Sequence, residues 1–324
     1  MEMKLGIMGN GSIVQVALNT FATMPEMEVK AILCRKKSEE RAKDLARTYG
    51  IEKVYIDMDE FLADPSFDTV YVAVVNTLHY AYSKRALEAG KNVICEKPFA
   101  TSGKETRELI DLAKEKGCML FEAVPTRYQD NYALIASLLD QIGPIKMIQA
   151  NYSQYSRRYD KYKEGIVLPA FDPAQYGGAL FDLNIYNLHF IVGLFGLPNQ
   201  AHYFANQGFN GVDVSGTALL DYGPFKAVLT AAKDSASKPF VILQGEKGTI
   251  EVHSMPSEVN NVTLTLHGQP AQTIGEDQND RFKVQFGKID RILEAKDTKR
   301  CFADMEKTYN VMALADELRS QVLE

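Results

Sequence analysis

The chain has 324 residues, of which 46% are hydrophobic and 24% charged, and it carries a formal net charge of −6. That balance belongs to a globular protein with room for two domains, and its mild acidity excludes the concentrated basic face that nucleic acid requires. Cys34, Cys95, Cys118 and Cys301 are scattered without CxxC or Cys/His spacing, so no metal is expected and the thiols read as those of a reduced, cytoplasmic protein.

The chain opens on an apolar run from Met3 to Met8, with no basic segment and signal-length apolar stretch before it, and no 18 apolar residues run together. Neither export nor membrane insertion is expected. Met3–Met8 is the first predicted strand, followed by a helix over 13–24 that Pro25 stops. A strand over 28–33 and a helix over 38–49 follow, the helix capped by Ser38 and closed by Gly50. Thr69–Val75 is apolar on both alternating faces, the mark of a strand covered on both sides. A helix over 78–89, a strand over 92–95, a helix to Lys116 opened by the capping box Ser102–Glu105, and a strand over 119–121 complete a β-α-β series.

After about Glu122 the pattern changes. A helix over 130–140, a strand, a polar loop rich in Tyr and Arg, and an apolar helix over 179–195 lead into six strand-like runs. These fall at 201–206, 214–222, 226–233, 240–244, 249–252 and 262–266, with turns at Tyr222-Gly223-Pro224 and Gly245-Glu246-Lys247-Gly248. Helices over 280–295 and 302–319 finish the chain. The expected architecture is a doubly wound α/β domain over 1–122, then an α+β domain with an open, mostly antiparallel sheet over 123–324.

Gly9-Asn10-Gly11 directly follows the first strand and opens a helix at Ser12 and Ile13, the setting in which a tight turn and helix-end amides receive a dinucleotide pyrophosphate. The third glycine position of that fingerprint is Val14, and a glycine turn serving packing alone is the other reading. Where an NAD-preferring fold places a carboxylate on the ribose, this chain has Arg35, Lys36 and Lys37. Arginine can grip a 2′-phosphate with two N–H groups, so NADP is expected over NAD, against the alternative of a solvated basic turn. Glu96-Lys97-Pro98 leaves a buried strand at the sheet's carboxyl edge, where open α/β sheets bind ligands; a surface Glu–Lys pair is the alternative. Asp182, Tyr186 and His189 fall at i, i+4 and i+7 of the apolar helix behind Gly177-Gly178, whose missing side chains leave room for a ligand. Such a stripe is either a buried network or a cavity wall.

Together, Gly9-Asn10-Gly11, Glu96-Lys97-Pro98, Val75-Asn76-Thr77-Leu78-His79 and Gly177-Gly178-Ala179-Leu180-Phe181-Asp182 with Tyr186 resemble the Gfo/Idh/MocA oxidoreductases across essentially the whole chain. The resemblance implies a Rossmann first domain holding NADP or NAD, a substrate pocket, and a homodimer built through the open face of the second sheet. It makes Lys97 the catalytic lysine and Glu96 the holder of the nicotinamide ribose, with Asn76, His79 and Arg127 beside the coenzyme. Tyr186 stands where inositol dehydrogenases of the family carry histidine, as in the glucose–fructose oxidoreductase and dihydrodiol dehydrogenase branches. Val75, Asn184 and Val124-Pro125 depart from the family's usual residues. The implied reaction moves a hydride between NADP(H) and a CH–OH carbon of a sugar, polyol or diol. Tyr186 would exchange the proton, Lys97 would lower its pKa, and Asp182 would orient substrate or lysine. His189 either binds a substrate hydroxyl or is a core histidine. Tyr155 sits in a hydrogen-bonding segment over 151–159 that is either a substrate loop or a solvated connector. A sensor of the same fold that binds NADP without catalysis is the competing reading.

Overall fold

The computed structural model describes residues 3–278 and 280–323. They form two compact units, one of Met1–Ala123 with Phe282–Tyr309 and one of Val124–Arg281 with Asn310–Glu324.

In the first unit, β1 (Met3–Met8), α1 (Ser12–Phe21), β2 (Met27–Leu33), α2 (Glu39–Tyr49), β3 (Lys53–Tyr55), α3 (Met58–Ala63) and β4 (Thr69–Val72) come first. They are followed by α4 (His79–Glu88), β5 (Asn92–Glu96), α5 (Gly103–Lys116) and β6 (Leu120–Ala123). The strands are all parallel, in the order β3-β2-β1-β4-β5-β6. The order reverses between β1 and β4, so the connections that leave these two paired strands run to opposite faces of the sheet and open the crevice where doubly wound folds take ligands. Leu5, Ile7, Val70, Val72, Val93 and Ile94 are wholly buried, as strands covered on both faces require. The helix α5 begins where expected, with Ser102 Oγ accepting from the Glu105 amide at 3.2 Å. Glu105 reaches one residue further back than a capping box would, to the Thr101 amide at 2.9 Å.

In the second unit, α6 (Asp130–Leu138), β7 (Ile145–Ser153) and α7 (Arg157–Lys163) precede a π turn at Leu180–Asn184 that runs into α8 (Ile185–Phe195). Then come β8 (Gln200–Gln207), β9 (Asp213–Asp221), β10 (Lys226–Ala232), β11 (Phe240–Gly245), β12 (Gly248–Val252), β13 (Val262–Leu266) and β14 (Gln272–Ile274). They form an eight-stranded sheet in the order β14-β13-β12-β11-β7-β10-β9-β8. Only β7–β10 pair in parallel; the other neighbours are antiparallel. The helix α8 packs on β7 and β10. Asn184 ties it to the Leu229 carbonyl at 3.1 Å and Asn187 to that of Thr230 at 3.1 Å. By length and composition Pro173–Phe195 could cross a membrane, but 78% of its most apolar window is buried within the protein, as for a core helix.

The helices α9 (Arg281–Glu294) and α10 (Thr298–Leu323) depart from the expected division of the chain, since residues 282–309 pack with the first unit. The cause is the apolar face of α9. Phe286 meets the rings of Phe21 and Tyr71 edge-on at 4.7 and 5.3 Å, while Thr308 donates to the buried Glu122 at 2.8 Å. The polar loop expected over 151–159 is in fact the end of β7 and the start of α7.

Candidate active site

Four strands of the first unit deliver the predicted coenzyme residues to one sheet edge. Gly9 leaves β1 with φ +118°, and a Cβ there would overlap the Ala73 carbonyl oxygen and stand 2.9 Å from Ala73 C. No other residue fits so close to a neighbouring backbone. Gly11 caps α1 in ordinary extended backbone (φ −74°) with open space where its Cβ would be. The helix has no side-chain cap and no acidic residue in its first turn. Its first amides, at Ser12 and Ile13, therefore present an uncompensated positive end, the requirement for a pyrophosphate. Asn10 donates to the Ser38 carbonyl at 2.7 Å and so holds the basic turn beside the glycine turn. Within that turn Lys36 pairs with Glu39 at 2.6 Å, whereas Arg35 is exposed and makes no ion pair among the described residues.

Lys97 follows β5 and is half-buried. Its segment is fixed from two sides. Glu96 is 7% exposed and accepts from the buried Tyr71 hydroxyl at 2.5 Å and from the Lys97 amide at 3.3 Å. His79 is 1% exposed, with Nδ1 at 2.7 Å from the Pro98 carbonyl and Nε2 at 3.2 Å from that of Val74. Burial lowers its pKa, so the ring is neutral and donates to one carbonyl, the nearer being Pro98. His79 thus staples the loop carrying Asn76 to the one carrying Lys97. Asn76 itself is half-exposed, in a short 3-10 turn after β4.

In the second unit the shared stripe expected of Asp182, Tyr186 and His189 is broken by the π turn, which holds Asp182 but not the other two. Burial separates the three: the Asp182 side chain is 38% exposed, while Tyr186 is 7% and His189 0% exposed. His189 is wholly buried, the setting of a core histidine. The Tyr186 ring lies 5.6 Å from that of Tyr152. Arg281 faces both phenols: burial works against its cation, but Tyr186, Tyr152 and Glu258 hold its pKa above the ordinary value. Arg127, in the 3-10 turn Pro125–Tyr128, lies against α8 at Gly193, where a Cβ would be 3.8 Å from its Cδ. Tyr155 is 40% exposed and gives its hydroxyl to Asp160 at 2.6 Å.

The room expected at Gly177-Gly178 is filled by protein. A Cβ on Gly177 would stand 2.8 Å from Ala170 C, and one on Gly178 (φ +109°) 2.8 Å from Asp213 Cγ. Asp213 accepts from the Leu180 amide at 2.6 Å and the Tyr203 hydroxyl at 2.8 Å, so a carboxylate belonging to the chain occupies the helix start. Sequence reasoning also missed Lys233, which pairs with Asp182 at 2.9 Å. Its signal was parity: Ala227, Leu229 and Ala231 are buried on one face of β10, and Lys233 continues that face.

Burial pushes the Asp213 carboxyl up from 3.8 to about 6. A folded value above the unfolded one means the folded chain holds this proton more tightly. The resulting stability is fully present below about pH 4 and fades as pH rises through about 6, by on the order of 3 kcal/mol. Asp213→Asn should remove that slope. Denaturant titrations at several pH values check it, and parallel pH dependences for wild type and variant would contradict it.

Residues 3–124 match the family described as "Oxidoreductase family, NAD-binding Rossmann fold", and residues 132–251 match the "GFO/IDH/MocA C-terminal domain". The chain belongs to the Gfo/Idh/MocA oxidoreductase family. Among its relatives in that family is the scyllo-inositol 2-dehydrogenase (NADP(+)) IolU of Bacillus subtilis, 36% identical over 253 residues, which cover 78% of this chain and 76% of IolU. The trans-1,2-dihydrobenzene-1,2-diol dehydrogenase of Sus scrofa is 28% identical over 334 residues, covering 100% of this chain and 96% of that enzyme. The 3-ketoreductase KijD10 of Actinomadura kijaniata, solved with NADP and TDP-benzene, superposes with a TM-score of 0.86 at 23% identity, covering 99% and 98% of the two chains. That last likeness is one of fold. This Gfo/Idh/MocA chain is thus an oxidoreductase with a nicotinamide-coenzyme domain.

Proposed function

We propose that the protein uses NADP(H) to interconvert a secondary alcohol and a ketone, or an aldose and its lactone, on a small sugar, polyol or diol. The observation that carries this reading is the sheet edge of the first unit: an uncapped helix end behind Gly9, an exposed Arg35 and a half-buried Lys97 all follow strands at their carboxyl ends. The relatives' NADP-linked oxidation of an inositol, and oxidation of a diol, support the substrate class.

The coenzyme would lie with its pyrophosphate on the amides after Gly11 and its 2′-phosphate on Arg35, with Asn76 and Arg127 towards the nicotinamide; when bound, it supplies or accepts the hydride. Everything else falls to the chain. In the oxidation direction Tyr186 takes the proton of the substrate hydroxyl as the carbon gives up its hydride, and returns it in reduction. A free tyrosine is a poor base at neutral pH, with a pKa of about 10, and a nearby cation favours phenolate. Lys97 supplies that charge in the active complex, with Arg281 beside the ring as a second cation. Asp182 accepts a hydrogen bond from the substrate or from Lys97. Glu96 and His79 act by holding Lys97 in place.

The test is an absorbance screen of NADP+ and NAD+ against inositols, aldoses and trans-diols, with dissociation constants for NADPH and NADH. NADPH should bind at least about tenfold more tightly, the worth of one charge-assisted phosphate contact; equal or tighter NADH binding would overturn the coenzyme assignment. We also propose a homodimer through the open sheet face. Phe204 and Leu219 are 65% and 40% exposed there, with Val228 paired to Leu219 on the next strand. Sedimentation at the mass of one chain would rule it out.

A further inference from the structure

Lys233 lies outside every motif above, yet it is the most enclosed cation described. Its side chain is 2% exposed. The ammonium donates to the Ala170 carbonyl, stands 2.9 Å from Asp182 Oδ2, and has the Phe171 ring centroid 4.4 Å away. A second carboxylate, Asp213 on β9, faces it from the helix start. Enclosing an ammonium costs several kcal/mol unless each donor finds a partner, and apolar residues of similar volume usually serve stability as well or better. What the cation secures here is position. Asp182 sits in the π turn, the least regular part of its helix, and its side chain is otherwise 38% exposed. The ammonium is itself held, because the Ala170–Phe171 segment and the end of β10 leave it no room to swing.

We infer that Lys233 is a positioning residue for the reaction: its ammonium fixes Oδ2 of Asp182 and with it the orientation of that carboxylate towards the substrate hydroxyl. This rests on the reading of Asp182 given above. Lys233 touches neither substrate nor coenzyme; it acts through Asp182 alone. A shift of about 1 Å in a positioned group can cost about 100-fold in rate, so the loss of this anchor should register in turnover rather than in coenzyme binding.

The experiment is a double-mutant cycle of Lys233→Met and Asp182→Asn in the full-length protein. It is read as kcat and KM with NADP+ and scyllo-inositol, and with NADP+ and trans-1,2-dihydrobenzene-1,2-diol, beside NADPH dissociation constants and unfolding curves. Lys233→Met should lower kcat about tenfold or more with NADPH affinity unchanged, and Lys233→Arg should recover part of it. In the Asp182→Asn background Lys233→Met should add less than about twofold, because residues acting as one unit are not additive. Full turnover in Lys233→Met while Asp182→Asn loses it would sink the positioning role and leave Asp182 standing. Losses that multiply would show that Lys233 acts elsewhere, as a structural residue would. Full turnover in Asp182→Asn, or no wild-type turnover with either probe, would remove the reading on which the inference rests. If Lys233→Met does not fold, Lys233→Arg paired with Asp182→Asn closes the same cycle.

Discussion

Replacing Lys97 by alanine, or Tyr186 by phenylalanine, should lower turnover about 100-fold or more in each case while NADPH binding persists, the scale of a positioned proton transfer. The loop that bears Lys97 is held by Tyr71 on Glu96 and by His79 on the Pro98 carbonyl, contacts that do not involve the Lys97 ammonium. Phenylalanine at 186 keeps the ring against Tyr152 and removes only the hydroxyl. Steady-state kinetics with coenzyme titration and a melting curve for each variant separate chemistry from binding and folding. If both variants turn over at the wild-type rate while NADPH still binds, the proton-transfer pair has been misassigned.

The second large effect is a contrast between two glycines only two residues apart. Gly9→Ala should destabilise the first unit by about 3 kcal/mol, because φ +118° is strained for any side chain and the new Cβ meets backbone at Ala73 that cannot yield. Gly11→Ala should leave stability unchanged, since its backbone is ordinary and the space around it open. That same open space is where a pyrophosphate must approach, so Gly11→Ala should weaken NADPH binding about tenfold or more at constant melting temperature. Unfolding curves and coenzyme titrations measure both. An alanine at 11 that leaves NADPH affinity intact would argue against backbone approach at this turn.

The parts of the fold written in long periodic segments were legible. The strand–helix alternation of the first unit and the hairpins of the second follow from apolar period and turn residues, and each predicted strand there has its counterpart. What escaped was short or non-local. Three-residue strands such as Lys53–Tyr55 and Gln272–Ile274 carry too little pattern to stand out. The return of α9 to the first unit depends on Phe286 finding Phe21 and Tyr71, contacts no local window contains. The π turn cannot be seen in a 3.6-residue template, so the stripe through Asp182 and His189 was drawn too straight. The glycine pair before it was read as space for a ligand because the occupant, Asp213, lies a whole strand away. The groups that hold the motif residues in place were not readable. Tyr71, Lys233 and Arg281 are polar residues whose partners are set by tertiary packing alone.

The most direct test of the account follows the transferred atom. The protein is incubated with NADP+ and a polyol or diol deuterated at its carbinol carbons, and the coenzyme is analysed by mass spectrometry. The account predicts one deuterium in the reduced nicotinamide, formed by the wild type and almost abolished by Lys97→Ala and by Tyr186→Phe. Tight NADPH binding without reduction of the coenzyme by any polyol, aldose or diol would contradict it, and would mark the chain as a coenzyme sensor.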